Sequence, residues 1–166
     1  MQLYSPAFQN EGLIPRRYSG EGDDVSPPLS WSFVPEHTRA FALLCEDPDA
    51  PIRPGKEHPF AHWMIYNIPA RIQALPEALP AREVILQPVL ATQGRNSFGK
   101  IGYGGPMPPV DHGPHHYHFT LFALSTSIPF SSGMRREAFL LALQGHVLEK
   151  ATLTGVYERV AQRKTA

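Results

Sequence analysis

Apolar residues along the chain come in short runs cut by proline and glycine, and most of these runs read as strands. Leu29-Ser30-Trp31-Ser32-Phe33-Val34 alternates apolar with polar positions and stops at Pro35, the pattern of a strand with one covered face. Phe41-Ala42-Leu43-Leu44-Cys45 is apolar without interruption between Pro35 and Pro48. It is too short for a helix and fits a strand buried on both faces. Phe60 to Ile68 and Tyr117 to Leu124 are two more such runs, both rich in aromatics, and Thr152 to Tyr157 is a weaker closing strand.

One segment has helical character. Met134 to Gln144 contains no proline and no β-branched residue, with Ser132 as N-cap and Gly145 where a C′ glycine belongs. Its expected apolar face is Met134, Ala138, Leu141 and Ala142. Ala70 to Leu79, bounded by Pro69 and Pro80, is expected to form a short helical turn. With no repeat, low-complexity tract or linker, the reading is a single domain over 1–166. It is mostly β and mostly antiparallel, with one helix in the C-terminal half.

Composition narrows the function classes. Of the 166 residues, 18 are proline, about twice ordinary usage, which excludes a long-helix bundle because each interior proline costs a helix about 3 kcal/mol. Lys and Arg (15) balance Asp and Glu (15), so the basic face of a nucleic-acid binder is not expected. Charged residues make up only 18% and the mean hydropathy is −0.24, against charge-driven disorder. A single Cys excludes a disulfide framework and a multi-Cys zinc site. No apolar run is long enough to span a bilayer, so no stable membrane insertion is expected. Met1 to Pro6 carries no signal-peptide pattern, which, with the unpaired Cys, gives an expectation of a cytoplasmic protein.

Three segments concentrate polar residues. Glu46-Asp47-Pro48-Asp49-Ala50-Pro51 follows a buried strand. It reads either as a strand-exit turn, with Asp capping and Pro fixing φ, or as two carboxylates held at the mouth of the sheet by a stiff backbone. In His58-Pro59-Phe60-Ala61-His62-Trp63, alternation puts Phe60 and His62 on one face and Ala61 and Trp63 on the other. His62 is then either a satisfied, partly buried histidine or part of a pocket. The densest segment runs from Gly99 to Phe119 and holds His112, His115, His116 and His118. A strand there turns His115, Tyr117 and Phe119 one way and His116 and His118 the other. Its glycines leave backbone amides open to an anion, although no Gly-Lys-Ser/Thr phosphate loop is present. His116-x-His118 lacks a carboxylate on its strand, so no metal is expected. Gly-x-Ser-x-Gly is absent, against a serine hydrolase.

Together these segments resemble a known family. Asp47-Pro48-Asp49-Ala50-Pro51, His62-Trp63 with Asn67-Ile68-Pro69, and Gly102-Tyr103-x-Gly105-Pro106-x-Pro108-Pro109 leading to His115-x-Tyr117-x-Phe119 are similar to the phosphatidylethanolamine-binding protein family. The likeness is greatest to its bacterial branch, the Raf kinase inhibitor-like proteins, and Pro27-Pro28-Leu29-Ser30-Trp31 fits too. The resemblance runs from about residue 3 to residue 159. It implies a large antiparallel sheet packed on a smaller one, and a small pocket for phosphate or phosphorylated head groups. The ligand-binding positions it implies are Asp47, Asp49, Phe60, His62, Gly105, Pro106, Pro108, His115 and Tyr117. It also implies a non-trans peptide near the second motif, where His58-Pro59 is the X-Pro bond, and a homodimer. His116 stands where Arg is common in the family and is expected to face away from the pocket. His112 reads as a solvated loop residue.

The expected activity is therefore binding of a small anionic or phosphorylated ligand, with no cofactor and no catalysis. His62 and His115 would donate to ligand oxygens, Tyr117 would offer a hydroxyl, and amides near Gly105 would complete an anion hole. Asp47 and Asp49 would orient and charge the histidines or hold an ammonium. The alternative is a hydrolase using the His/Asp/Tyr pocket as an acid–base pair. A regulatory, kinase-inhibitor-like role follows from the resemblance alone.

Overall fold

The apolar runs become the central strands. The computed structural model describes residues 1–55, 59–127 and 131–161. Its strands are β1 (Gln2–Tyr4), β2 (Gly12–Leu13), β3 (Leu29–Ser32), β4 (Ala40–Asp47), β5 (Phe60–Pro69), β6 (Ala74–Leu75), β7 (Val84–Ile85), β8 (Ala91–Gln93), β9 (His115–Leu124) and β10 (Val147–Tyr157). The helix α1 (Arg136–Leu143) lies between β9 and β10. One sheet has seven strands in the order β2-β10-β9-β4-β5-β8-β7, and the other has three, β1-β3-β6. Every pairing is antiparallel except that of β2 with β10.

β4 is apolar from Ala40 to Cys45 because that stretch is covered on both faces. Phe41, Leu43 and Cys45 join the main core with Trp31 of the small sheet and Trp63 and Phe119 of the large one. Ala42 and Leu44 face a second cluster with Met64, Tyr66 and Phe139 of α1. Phe139 and Trp63 have no exposed surface, and full burial of one such side chain contributes about 1.5–3 kcal/mol.

Several expectations need correction. Ala70–Leu79 is not helical: Ala74–Leu75 pairs with β3, and the Gln73 carbonyl accepts the Trp31 amide. α1 starts at Arg136 with Arg135 as its N-cap, while the Ser132 hydroxyl bonds Glu83. The cause is non-local, since the Met134 carbonyl is taken by the Arg95 amide. The buried helix face is Phe139 and Leu143, and Leu141 is 67% exposed. Gly145 does sit just past the end, at φ +78°. The strand expected over Leu29–Val34 is β3 and stops at Ser32, because Phe33 adopts φ +53°, and the closing strand β10 begins at Val147. His58 lies outside the described residues, and so does the His58–Pro59 bond. Among the described residues no helix is long and apolar enough to cross a membrane.

Candidate functional site

Asp47 ends β4 and pairs in register with Phe60, which begins β5. His115 begins β9, two strands from β5 across β4. The three polar segments of the sequence therefore meet at one end of the large sheet, around a cavity of about 310 Å³. Of the expected residues, Asp47, Phe60, His62, Pro108, His115 and Tyr117 line it.

A bulge sets the position of His62. Trp63 pairs with Cys45 and Ala61 with Glu46, so His62 is the extra residue of β5 at that step. Such bulges re-aim side chains next to functional sites. Phe60 and His62 share the cavity as alternation predicts. Trp63 does not join Ala61, however: Trp63 packs in the main core and Ala61 in the helix-side cluster. Past the bulge, His62 and Gly104 bind each other reciprocally. The Gly104 amide donates to the His62 carbonyl at 2.9 Å, and His62 Nδ1 donates to the Gly104 carbonyl at 2.6 Å. A carbonyl can only accept, so Nδ1 carries the proton and Nε2 is left for the cavity. Burial pushes the imidazole below its ordinary pKa of about 6.5, against the raising effect of the Gly104 carbonyl and the Asp47 and Asp24 carboxylates. His62 is thus neutral at pH 7, and its Nε2 accepts.

Asp47 uses both oxygens. Oδ1 accepts the Asp49 amide at 2.8 Å and closes the strand-exit turn. Oδ2 accepts from His115 Nδ1 at 2.8 Å, with Asp47 3% and His115 1% exposed. His115 Nε2 in turn meets His112 Nδ1 at 2.8 Å. His112, expected as a plain solvated loop residue, is exposed but caps the pair. Asp49 does not line the cavity. Its Oδ2 accepts both the His116 amide and His116 Nδ1, at 2.9 and 2.7 Å. Burial raises the Asp49 carboxyl, but these contacts outweigh it and hold the carboxyl low. His116 faces away from the cavity, as expected, and takes Asp49 with it.

The glycine loop has a different job from the one its composition suggests. The Gly105 amide donates to Asp24 Oδ1 at 2.6 Å, so with the Gly104 amide already used, neither is open to an anion. A Cβ at Gly105 would lie 2.3 Å from the Tyr18 carbonyl oxygen, so glycine is required there for close approach. Pro106 offers its carbonyl to the Gly20 amide and does not line the cavity. Asn96, with no exposed surface, clamps the approach: Oδ1 accepts the Phe98 and Lys100 amides and Nδ2 donates to the Gly102 carbonyl. The Tyr117 hydroxyl is buried without a hydrogen-bond partner. Desolvation, then the nearby Asp47 charge, pushes its pKa up, so it stays protonated.

Residues 4–158 match the family described as phosphatidylethanolamine-binding protein. The chain belongs to that family. A UPF0098 protein of Methanothermobacter thermautotrophicus is 42% identical over 96% of this chain and 99% of its own length. One from Pyrococcus abyssi is 40% identical over 96% and 86%. Two crystal structures share the fold at 37% identity, each covering 95% of this chain and 97% of its own. They are a phosphatidylethanolamine-binding protein homologue of Chlamydia trachomatis, with a TM-score of 0.84, and Escherichia coli YbcL, described as a member of the mammalian family, with 0.85.

This phosphatidylethanolamine-binding protein relative has cavity residues that the sequence reading passed over. Arg53 lines the cavity from the turn after Pro51. Phe98 stands at the mouth, 45% exposed, edge-on to Phe60 at 4.7 Å and to His62 at 5.4 Å. Ser97 and Met107 complete the wall, and the Ser97 hydroxyl accepts the Ala61 amide. Only the position of Arg53, two residues beyond the Asp-Pro-Asp-Ala-Pro motif, was there to be noticed. Among the described residues no group of three or more His, Cys, Asp or Glu side chains is placed to hold a metal.

Proposed function

We propose that this chain binds a small anion or a phosphorylated head group, such as phosphate or phosphoethanolamine, in the cavity at the end of the large sheet. The observation that carries this reading is that one cavity is lined by both the Arg53 guanidinium and a positioned His62. A bulge turns His62 onto the cavity, Gly104 fixes its tautomer, and Nε2 remains as a positioned polar atom among aromatic walls. Pockets of this kind, mostly apolar with a few convergent polar groups, are where small ligands bind. Family membership supports the same reading.

Calorimetric titration of phosphate and phosphoethanolamine into wild type and His62→Ala tests it. Wild type is expected to bind, with affinity about tenfold or more weaker in the variant, since leaving a ligand's polar atom unpaired in a dry site is costly. Equal affinities would remove His62 from the site.

A further inference from the structure

The groups expected to grip an anion are mostly engaged elsewhere. His115 gives Nδ1 to Asp47 and meets His112 through Nε2. The Gly104 and Gly105 amides are spent on His62 and Asp24. The Tyr117 hydroxyl has almost no accessible surface, and His62 presents an acceptor. Arg53 differs from these in having donors that are both unpaired among the described residues and open to solvent. It is exposed, lines the cavity and has no hydrogen bond or ion pair among the described residues. It is also the one Lys or Arg among the described residues that line the cavity, and the Asp47 carboxyl there faces His115.

Resting on the reading of the cavity as an anion site, we propose that Arg53 is its anion-gripping residue and that the ligand is a phosphomonoester carrying one proton. The division of labour follows from donor and acceptor counting. A guanidinium has only donors, in a fork that matches two phosphate oxygens. A neutral imidazole with Nδ1 protonated offers Nε2 as acceptor only. A ligand that satisfies both needs a charged oxygen for Arg53 and a P–OH for His62. A phosphomonoester has that pair near pH 6, where its second proton is half bound, and inorganic phosphate keeps a P–OH throughout the neutral range. A phosphodiester, the form of phosphate in a membrane phospholipid, has no P–OH and would set oxygen lone pairs against Nε2. Sites that hydrogen-bond a ligand hydroxyl discriminate strongly against analogues that lack it. The cavity is therefore selective for free phosphomonoesters over the lipid head group.

The test is calorimetry at about pH 6, and again at about pH 7 where His62 is neutral, with phosphoethanolamine, inorganic phosphate and glycerophosphoethanolamine, the last being the diester. The proteins are wild type, Arg53→Lys and Arg53→Met. On wild type the diester is expected to bind about tenfold or more weaker than phosphoethanolamine. Arg53→Met should weaken phosphoethanolamine and phosphate by about tenfold or more, with Arg53→Lys recovering part of the loss. An exposed turn residue should leave the melting temperature of these variants unchanged. Phosphoethanolamine binding equally to wild type and Arg53→Met, or a diester as tight as the monoester, would overturn the inference while leaving the site an anion site. Wild type binding none of the three probes would overturn the anion reading itself, and this inference with it.

Discussion

The Asp47–His115 pair makes the most exacting prediction. Both side chains are buried, at 3% and 1% exposure, and meet at 2.8 Å. Removing one partner of a buried pair leaves the other uncompensated and costs about 3–5 kcal/mol, whereas removing both leaves no orphan. Asp47→Ala strands His115 Nδ1 and also the Asp49 amide, which Oδ1 now satisfies. His115→Ala strands the carboxylate. Each single variant should lose about 3 kcal/mol, or about 6–12 °C of melting temperature for a chain of this size. The double variant should lose about 4 kcal/mol, a coupling of about 2 kcal/mol. Asp47→Asn provides a graded check: its single carbonyl oxygen can serve one of the two donors, so a loss of about 1–3 kcal/mol is expected. Urea unfolding of the four proteins, with midpoints and slopes fitted together, measures the cycle. Losses that add to within about 0.5 kcal/mol would show that the two side chains do not depend on each other, and the account of the buried pair would fail.

Two further predictions concern the loop and the bulge. Gly105→Ala meets the Tyr18 carbonyl at 2.3 Å and should cost about 2 kcal/mol or more together with loss of phosphate binding; Gly113→Ala, at φ +88° with nothing within 4 Å, should cost only about 1 kcal/mol of backbone strain and leave binding intact. Thermal melts and calorimetry on the two variants compare them, and similar behaviour would refute the packing argument. His62 predicts a pH dependence: burial lowers its pKa in the folded state, with the Gly104 carbonyl, Asp47 and Asp24 opposing, so the unfolded chain binds more protons below about pH 6.5 and stability falls as pH drops through that value. His62→Asn, which can keep a donor toward Gly104, should show a shallower fall in melting temperature between about pH 7 and pH 5, and a parallel fall would mean that His62 is not the titrating group.

Much of this was legible because it is local. The runs Phe41–Cys45, Phe60–Ile68 and Tyr117–Leu124 lie in the central strands β4, β5 and β9; the first two are apolar because they are covered on both faces, whereas β9 alternates buried and half-buried positions. The order of the motifs was enough to bring Asp47, His62 and His115 to one site. What escaped depends on partners far along the chain. Ala70–Leu79 carries no strand signal of its own and becomes β6 only because β3 lies beside it. Met134 is drawn out of the helix by the Arg95 amide. The bulge at His62 is a mismatch between two strands, and no alternation rule applied to one strand can reveal it. Arg53 sits in an exposed turn, where a single basic residue looks like any solvated charge.

These misses share a cause that bears on how the site is built. Residues with an unusual sequence signature, the glycines, the Asp-Pro-Asp turn and the paired histidines, were expected to touch the ligand. In the structure most of them touch each other: Asp47 with His115, Asp49 with His116, Gly104 with His62, Gly105 with Asp24. That is what a preorganised site requires, since a polar group left unpaired beside the cavity would cost about 1–3 kcal/mol in the free protein, and a side chain not locked by neighbours would lose entropy on binding. The distinctive residues therefore make the frame. Contact with the ligand falls, on the reading proposed, to groups that the frame leaves unspent, His62 Nε2 and the guanidinium of Arg53. The frame also explains why Arg53 can stay unpaired. As an exposed cation it is hydrated and costs little before the ligand arrives, whereas a buried cation in the same role would need a partner.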